Sequence, residues 1–291
     1  MSPLVSIIIP AYNRADYIDQ TIQSVLEQSC SNVELIVIDD GSTDGTYQKI
    51  QSYKEKLILL THDDHVNKGQ SAAINLGLSR ARGKYIAILD SDDYWAPDIL
   101  EIQVEYLEKH DEIGMVYSNG CAVDAKGRVI YQIYDSHHIE MSDPNLILLD
   151  CYILLPLSSL VRKSVYERVG RFNEDFRAAQ DHDMVLRIAE VTKLAYLPKI
   201  LFYYRRHNES ISSTNQRIRW TNGFKILEHA QQRYPYKAST IRKRRAVLNY
   251  RLGICDVVEK RYIDAAYHMI AASILDPLRT IKVISGMEKR N

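Results

Sequence analysis

Short apolar runs alternate with amphipathic segments over the first 110 residues of the chain. Four runs are rich in β-branched residues and bounded by polar clusters, which predicts buried strands at 5–9, 35–38, 57–60 and 85–89. The intervening apolar residues recur at helical spacing, which predicts helices at 16–28, 43–53, 71–80 and 97–109. This alternation predicts βαβ units and an α/β fold, with a mainly parallel sheet that carries helices on both faces.

The pattern becomes mixed after about residue 113. It predicts further strands at 115–118, 129–133 and 158–162, and helices at 165–169 and 182–191. From residue 215 onward it predicts helices only. We therefore predict an α/β domain over residues 1–214 and a C-terminal all-helical region over residues 215–291.

Composition places the chain among ordinary globular proteins. Apolar residues make up 46% of it and charged residues 25%. The longest apolar stretch, 146–157, is interrupted by Asp150 and Pro156 and is too short to span a bilayer. The N-terminus has no basic segment before a long apolar one, so we expect no signal peptide.

The net charge of zero hides an asymmetry between the two parts of the chain. Residues 215–291 contain 16 Lys and Arg against 6 Asp and Glu, whereas residues 1–214 contain 21 against 31. A basic C-terminal region predicts contact with an anionic partner such as a membrane surface, and a solvated helical face is the alternative. Four widely spaced cysteines follow no zinc or redox pattern, which favours a reducing compartment: Cys30, Cys121, Cys151 and Cys255.

Polar clusters end three of the predicted parallel strands. They are Tyr12-Asn13, 39–42 and 90–93. In open α/β sheets, ligands bind beyond the carboxyl ends of the strands, which lie at one edge. The sequence therefore predicts one binding site built from these three loops.

The acidic loop, which we define as Asp90, Ser91, Asp92 and Asp93, is the first candidate for chemistry. Carboxylates this close repel one another, and a divalent cation relieves that repulsion. Mg²⁺ and Mn²⁺ favour oxygen ligands and share their remaining positions with phosphate oxygens. The alternative is a loop whose carboxylates cap the following helix.

Three other residues suit a nucleotide. A carboxylate at Asp40 can accept a hydrogen bond from a base N–H, and Tyr12 offers a ring for stacking. Lys68 precedes a predicted helix, so it can meet an anion together with the helix N-terminus. The alternatives are an Asx turn at Asp40 and a partly buried core ring at Tyr12.

Two residues further along the chain suit catalysis or metal binding. Asp181 begins an amphipathic helix and can serve as a general base or as an N-cap. His207 is a candidate metal ligand or a surface residue. The segment 62–65 has the composition of a metal cluster, but no helix fixes its side chains, so we interpret it as a solvated loop.

The motifs taken together resemble family 2 glycosyltransferases over residues 3–213. They occur in the order seen in that family: Ser6-Ile-Ile-Ile-Pro-Ala-Tyr-Asn13, Val37-Ile-Asp-Asp-Gly-Ser-Thr-Asp44, Asn67-Lys-Gly69 with Asn75-Leu-Gly77, Gly83-Lys-Tyr-Ile-Ala-Ile-Leu-Asp-Ser-Asp-Asp93, Gln180-Asp-His-Asp183 and Tyr204-Arg-Arg-His207. Each motif is weak alone, and the ordered set is specific. One departure is Gln180, where the family often has Glu.

The resemblance implies a GT-A fold, an inverting mechanism and Mn²⁺ or Mg²⁺ as cofactor. It implies that Asp181 is the general base and that Asp92, Asp93 and His207 are metal ligands. The residues implied in donor binding are Pro10, Ala11, Tyr12, Asn13, Asp40, Lys68, Asp90, Ser91 and Asp92. By the same analogy, Asp40 contacts uracil, so the expected donor is a UDP-sugar.

The expected acceptor is a hydroxyl of a glycan or of a lipid-linked molecule, as in polysaccharide or cell-surface glycan synthesis. We expect no nucleic-acid partner and a cytoplasmic location at the inner face of a membrane. The rival function is a non-catalytic sugar-nucleotide binding or scaffold protein. A dehalogenase-type phosphatase is disfavoured by Tyr94, and a dinucleotide-binding dehydrogenase by the missing Gly-rich turn after the first strand.

The C-terminal region contains the spacing of one tetratricopeptide-like hairpin. The matching residues are Leu252, Gly253, Ala265, Met269, Ala272 and Pro277. Asn249 and Asp256 depart from that pattern, and a generic helical hairpin is the alternative. The basic segment 242–245 suits contact with anionic lipid.

Overall fold

The computed structural model describes residues 4–151, 153–207 and 216–284. The chain forms two compact units. The first contains Met1–Ser142 and Ile153–Asn208, and the second contains Asp143–Tyr152 and Glu209–Asn291. The predicted boundary between residues 214 and 215 lies outside the described residues.

The first unit is built on one nine-stranded sheet. Its strands are β1 Val5–Ala11, β2 Val33–Asp39, β3 Ile58–Thr61, β4 Tyr85–Ile88, β5 Tyr94–Trp95, β6 Ile113–Val123, β7 Val129–Gln132, β8 Ser159–Arg162 and β9 Lys193–Arg205. The sheet order is β3-β2-β1-β4-β8-β6-β9-β5, and β7 pairs with β6. The first four strands are parallel to one another, β9 is parallel to β6, and β5, β7 and β8 pair in antiparallel fashion.

The helices of the first unit connect or follow these strands. They are α1 Ile18–Leu26, α2 Thr46–Gln51, α3 Gln70–Arg80, α4 Ile99–Lys109, α6 Leu155–Ser158, α7 Lys163–Val169 and α8 Gln180–Ala189, with a short 3₁₀ turn at Asp63–His65. The predicted α/β class is confirmed, with the first four strands near their predicted places. Helix α2 begins later than predicted, because Gly45 precedes it with a φ of +95°.

Strand β9 is the largest element that the pattern did not predict. Its sequence contains Pro198 and mixes exposed with buried residues, so no simple alternation marks it. It pairs along most of the length of β6, and the register shifts at several points. These irregularities, rather than a lack of pairing, explain why the strand has no clear periodic signal.

Close packing of α3 on the sheet depends on the small residue Gly77. A Cβ atom there would lie 2.5 Å from Cγ2 of Ile8 and 3.0 Å from Cδ1 of Ile38. Because interiors are packed to near-crystal density, a larger residue would push α3 away from β1 and β2. The glycine of the Asn-Leu-Gly motif therefore allows α3 to pack closely on β1 and β2.

The opposite ends of the parallel strands are tied together by Glu34. Its Oε1 accepts hydrogen bonds from the Ser6 hydroxyl at 2.5 Å and from the Arg82 backbone N–H at 2.6 Å. The Ser6 hydroxyl in turn accepts the N–H of Gly83 at 2.7 Å. Burial favours the neutral acid, but these hydrogen bonds and the Arg82 charge prevail and lower the pKa of Glu34.

The second unit is helical. It contains α5 Pro144–Leu149, α9 Gln216–Arg233, α10 Ala238–Val258, α11 Tyr262–Leu275 and α12 Pro277–Ile284. Segment 143–152 clusters with these helices, although the sequence placed it in the first domain. The buried guanidinium of Arg244 on α10 explains this, because its Nη1 donates to the carbonyl of Leu149 at 3.0 Å.

Helices α10 and α11 form an antiparallel hairpin at the predicted tetratricopeptide-like segment. A Cβ at Gly253 would lie 3.1 Å from the Met269 side chain, so the two helices approach closely there. Asp256, one of the departing positions, is fully buried and accepts hydrogen bonds from Arg217 and His268 at 2.5 and 2.7 Å. The repeat assignment itself stays a prediction. Among the described helices, none combines the length and apolar character needed to cross a membrane.

Candidate active site

The predicted nucleoside-binding residues end β1 and begin the loop after it. Pro10 and Ala11 are the last two residues of the strand, and both are buried. Tyr12 is 43% exposed, so it is not a core residue. Asn13 has a φ of +51°, in the left-handed region that Asn tolerates better than most residues. Its Oδ1 accepts the N–H of Thr43 at 2.8 Å, which ties the loops after β1 and β2.

Asp40 joins the end of β2 to the loop that carries Lys68. Its N–H donates to the carbonyl of Ala11, and its two carboxylate oxygens accept the N–H groups of Lys68 and Gly69, each at 2.8 Å. Burial raises the pKa of Asp40 despite those hydrogen bonds. The Lys68 side chain is exposed, so its ammonium group faces solvent above this loop.

The interpretation of 62–65 as a solvated loop is correct for its last three residues and wrong for His62. Asp63, Asp64 and His65 are exposed. His62 is largely buried, with Nε2 at 3.4 Å from Oδ1 of Asp40. The His62 imidazole therefore lies next to the Asp40 carboxylate, which follows β2.

A chain of amide side chains links the acidic loop to the start of α8. Nε2 of Gln70, the first residue of α3, donates to Asp90 at 2.7 Å. Oε1 of the same residue accepts from Nε2 of Gln180 at 2.6 Å. Asp181 follows Gln180 in the first turn of α8. The position where the family often has Glu thus carries an amide that donates toward Asp90 through Gln70.

Asp92 is held by the side chains of Arg14 and His207. Its Oδ2 lies 2.9 Å from Nε of Arg14 and 2.9 Å from Nε2 of His207. The ring of His207 packs on Tyr17, with centroids 5.1 Å apart. Burial opposes ionisation of Asp92, but the His207 hydrogen bond and the Arg14 charge outweigh it and lower its pKa.

Asp93 faces a different way from Asp92. Its Oδ1 accepts the backbone N–H of Arg205 at 2.6 Å, and the residue is 1% exposed. The Arg205 guanidinium binds the carbonyl of Asp92 at 2.9 Å, Oε1 of Gln20 at 2.6 Å and the carbonyl of Ala125 at 3.0 Å. The contacts of Arg205 with Asp92 and Asp93 therefore attach the acidic loop to the end of β9.

The acidic loop holds three carboxyl groups close together, and two of them resist ionisation. Burial, together with the charges of Asp92 and Asp181, raises the pKa of Asp90 well above its ordinary value. Burial and the charges of Asp92 and Asp90 raise the pKa of Asp93 in the same way. Ser91, which lies between Asp90 and Asp92 in the sequence, is also buried. Such a site favours a cationic ligand.

The three predicted metal ligands do not form one set in this structure. Asp92 and His207 meet, whereas Asp93 is committed to the backbone of Arg205. Among the described residues, no group of three or more His, Cys, Asp or Glu side chains is arranged to hold a metal ion. Asp93 Oδ1 accepts the N–H of Arg205 instead of lying beside Asp92 and His207, and its role as a metal ligand stays a prediction.

Two site residues escaped the sequence reasoning. Arg14 and Arg205 contact the acidic loop across 78 and 113 residues of chain. A single arginine in a loop or at a strand end carries no periodic signal. The sequence offered two clues: Arg14 directly follows Tyr12-Asn13 of a predicted binding loop, and Arg205 lies within the motif Tyr204-Arg-Arg-His207.

The comparison with protein families agrees with this geometry. The family model described as glycosyl transferase family 2 matches residues 6–170, more than half of the chain. The chain belongs to glycosyl transferase family 2. The predicted family and enzyme class, a glycosyltransferase, are thereby confirmed.

Relatives of this family 2 chain differ greatly in length. An uncharacterized glycosyltransferase of Rickettsia prowazekii, RP339, is 28% identical over 96% of the chain and 92% of the relative. The chondroitin synthase of Escherichia coli is 30% identical over 81% of the chain. A hyaluronan synthase of Pasteurella multocida is 30% identical over 79% of it. The chain spans only 34% and 23% of the length of these two synthases.

Solved structures confirm the predicted GT-A fold. Residues 1–349 of S. aureus TarS in complex with UDP-GlcNAc match with a TM-score of 0.71 at 20% identity, over 94% of this chain and 83% of that one. The mannosyltransferase PcManGT from Pyrobaculum calidifontis, in complex with GDP-Man and Mn²⁺, matches with a TM-score of 0.63 at 18% identity. That match covers 99% of this chain and 80% of the other.

Proposed function

We propose that this protein is an inverting, metal-dependent glycosyltransferase that moves a sugar from a UDP-sugar to a hydroxyl of a glycan or lipid-linked acceptor. One observation carries the proposal. Asp181 starts α8 beside the acidic loop, and the Gln180–Gln70 pair connects the two. A carboxylate for the acceptor and a site for the donor diphosphate are thus neighbours.

The donor side rests on the loops after β1, β2 and β3. The exposed ring of Tyr12 is available for base stacking. Lys68, on the loop fixed by Asp40, can approach a diphosphate at the N-terminus of α3. The TarS complex with UDP-GlcNAc supports a uridine donor, while the PcManGT complex with GDP-Man is the example of another base.

Two side chains, Asp92 of the acidic loop and His207 after β9, would hold a divalent cation. A carboxylate oxygen and an imidazole nitrogen converge there within 2.9 Å of each other. Mg²⁺ and Mn²⁺ sites of this type use one or two protein ligands and complete their coordination with water and phosphate. When bound, the cation supplies positive charge for the leaving diphosphate. The Mn²⁺ in the PcManGT complex supports this assignment.

The chain's own residues account for the remaining steps. Arg14, next to Asp92, adds a second cation that can stabilise the departing diphosphate. Asp181 accepts the proton of the acceptor hydroxyl as its oxygen forms a bond to the anomeric carbon. The bond from that carbon to the diphosphate oxygen breaks in the same displacement, which inverts the configuration.

The acceptor class follows from the relatives named as chondroitin and hyaluronan synthases, which support polysaccharide or cell-surface glycan synthesis. A lipid-linked acceptor fits the basic C-terminal region, including Arg242, Lys243 and Arg245, which are exposed on α10. We propose a cytoplasmic location at the inner face of a membrane on the same grounds.

Replacing Asp181 with asparagine tests the proposal. Asp181→Asn keeps the size and polarity of the side chain but removes the proton acceptor, so transfer should fall by roughly 10²–10⁴-fold. Release of UDP from a panel of UDP-sugars with Mn²⁺ and glycan acceptors would measure it. Calorimetric binding of UDP should remain within about threefold of the parent value, because Asp181 acts on the acceptor.

The matched control is Asp175→Asn, an exposed carboxylate in the loop before α8, which should leave turnover unchanged. Parent-like transfer by Asp181→Asn would refute the catalytic assignment. UDP binding by the parent protein without turnover on any acceptor would instead favour the non-catalytic sugar-nucleotide binding or scaffold protein.

A further inference from the structure

Helix α11 exposes a stripe of large apolar side chains. Ile263, Tyr267, Ile270 and Ile274 are 88%, 68%, 60% and 74% exposed. Their spacing of four, three and four residues places them on one side of the helix. Soluble proteins scatter exposed apolar residues singly, whereas a continuous row marks an interaction surface.

The stripe is distinct from the face that holds α11 in its own unit. Ala265 and Ala272 are the buried residues of the helix, and Met269 packs against Gly253 of α10. On a helix, positions 263 and 265 point in nearly opposite directions. Small residues therefore make the internal contact, and the large apolar ones face outward.

Helix α12 continues the same character. Leu278 and Ile281 are 73% and 58% exposed and are three residues apart, on one side of the helix. Arg279 and Lys282 each follow one of them directly in sequence. Basic and apolar side chains thus alternate along α12, which is the composition of helices that lie in a membrane interface.

Charge around these helices is positive. Residues 216–284 contain 14 Lys and Arg against 5 Asp and Glu. The acids nearest the stripe have cationic or backbone partners: Asp264 pairs with Arg261 at 2.7 Å, Glu259 with Arg217 at 2.8 Å, and the buried Asp276 accepts the N–H of Arg279.

A guanidinium also lies at the C-terminal end of the stripe. Nη1 of the exposed residue Arg242 donates to the carbonyl of Leu275 at 2.7 Å. Leu275 is the last residue of α11 and directly follows Ile274. Basic groups on α10 and α12 therefore flank the exposed apolar residues.

We propose that the exposed apolar face of α11 and α12 docks on an anionic lipid surface. The apolar side chains enter the boundary between headgroups and acyl chains, and the flanking cations contact lipid phosphates. Tyr262 and Tyr267, 66% and 68% exposed, suit the headgroup level because their rings are apolar and their hydroxyls polar. This surface is independent of the proposed catalytic residues.

Charge complementarity favours lipid over a second copy of the chain. A second copy would present the same excess of positive charge at its own helices, which disfavours self-association. An anionic bilayer supplies both an apolar layer and the opposite charge. The proposal therefore commits to lipid, and a dimer is an outcome that the test can detect.

Sedimentation of the full chain with vesicles tests the proposal. Vesicles of phosphatidylcholine containing about 30% phosphatidylglycerol should bind the protein, and pure phosphatidylcholine should bind it more weakly by about tenfold or more, because the basic side chains then lack anionic lipid. The variant Ile270→Ser/Ile274→Ser should lose about tenfold or more of binding, because it removes inserted apolar groups. The variant Arg279→Gln/Lys282→Gln should lose binding only to the anionic vesicles.

A matched control changes two exposed apolar residues elsewhere. Val129 and Ile130 on β7 are 61% and 53% exposed, and Val129→Ser/Ile130→Ser should bind vesicles as the parent does. Circular dichroism would verify that every variant is folded. Light scattering would report the oligomeric state in the absence of lipid.

Three results would overturn the proposal. One is equal binding of the parent protein to neutral and anionic vesicles, or to neither. Another is unchanged binding of the Ile270→Ser/Ile274→Ser variant. The third is a parent dimer without vesicle binding that this variant converts to a monomer, which would assign the face to a second copy. None of these results depends on sugar transfer, so the proposed transfer reaction is tested separately, and only the proposed membrane location rests on the same helices.

Discussion

Arg205 is a buried cation that links the acidic loop to neighbouring segments of the chain. It is 3% exposed, and its guanidinium lies between the rings of Tyr17 and Tyr94, at 4.9 and 5.3 Å from their centroids. Stacked and hydrogen-bonded in this way, the planar group cannot be replaced by lysine without loss of contacts. Its neighbour Arg206 is exposed, and its Nη1 donates to the Tyr131 hydroxyl at 3.4 Å.

We predict that Arg205→Met lowers the free energy of unfolding by about 3 kcal/mol, because it leaves the carbonyls of Asp92 and Ala125 and the side-chain oxygen of Gln20 without their donor. Urea denaturation followed by circular dichroism would measure the change. Arg206→Met is the matched control and should stay within about 0.5 kcal/mol of the parent. A similar loss from both variants would mean that Arg205 has no special bracing role.

Individual site residues could be predicted from the sequence when they ended a strand or formed part of a family motif. Asp40, Asp92, Asp181 and His207 were named in that way, and the structure places Asp92 against His207. The roles assigned to Asp181 and to the donor residues stay predictions. The orientation of neighbouring carboxylates could not be predicted from the sequence, because it depends on partners such as Arg205 that are distant in the chain.

At the scale of elements, the ends of β1, β2 and β4 far from the site are tied by one carboxylate. Glu34 accepts hydrogen bonds from both neighbouring segments, and its pKa is lowered by them. A lowered pKa in the folded state means that the ionised form stabilises the fold. This stabilisation is present above the ordinary value of 4.5 and is lost as the pH falls through the lower, folded value.

We therefore predict that Glu34→Gln destabilises the protein by about 1–2 kcal/mol at neutral pH, mainly through the buried Ser6 and backbone contacts. The exposed Arg82 side chain contributes less, because solvent screens it. Urea denaturation at neutral pH and at about pH 4 would show the gap between variant and parent shrinking in acid. The exposed Glu55→Gln is the control. A gap that stays constant with pH would contradict the role of the Glu34 charge.

Elements with uniform burial were predictable, and elements with changing environments were not. Strand β1 is buried over all seven residues, and its apolar run is visible in the sequence. Strand β9 passes from buried to exposed and back, and Pro198 interrupts it. Periodicity reflects a constant environment, so a strand whose register shifts against its partner leaves no period to read.

At the scale of the whole molecule, the first unit contains the loops proposed to bind the donor, and the second contains the basic helices. We predict that UDP with Mn²⁺ slows amide hydrogen exchange at residues 11–14, 67–70 and 90–93. The slowing should reach about a hundredfold when the nucleotide is at about one hundred times its dissociation constant. Mass spectrometry of exchanged peptides would measure it.

The matched ligand in that experiment is ADP with Mn²⁺, which shares the diphosphate but not the base. It should protect residues 90–93 and leave residues 11–14 less protected, because Tyr12 and Asn13 are proposed to meet the base. Equal protection by both nucleotides would remove the assignment of base recognition to this loop, while leaving the diphosphate assignment in place.

The division of the chain into units was only partly foreseeable. The change from mixed elements to helices near residue 215 predicts a separate helical part, and the boundary itself stays a prediction. The short segment 143–152 gave no such sign, because its attachment depends on a buried arginine about 95 residues later. Long-range contacts of this kind are fixed by packing, which a local pattern does not record.

The order of synthesis determines when the acidic loop acquires its partners. Asp92 and Asp93 leave the ribosome long before their partners His207 and Arg205, which follow them by 115 and 112 residues. Domains tend to fold as they emerge, from the N-terminus onward. The nascent first four strands therefore carry an unbraced cluster of carboxylates until β9 is complete. A chain synthesised only through residue 170 contains neither Arg205 nor His207, so its acidic loop lacks both partners.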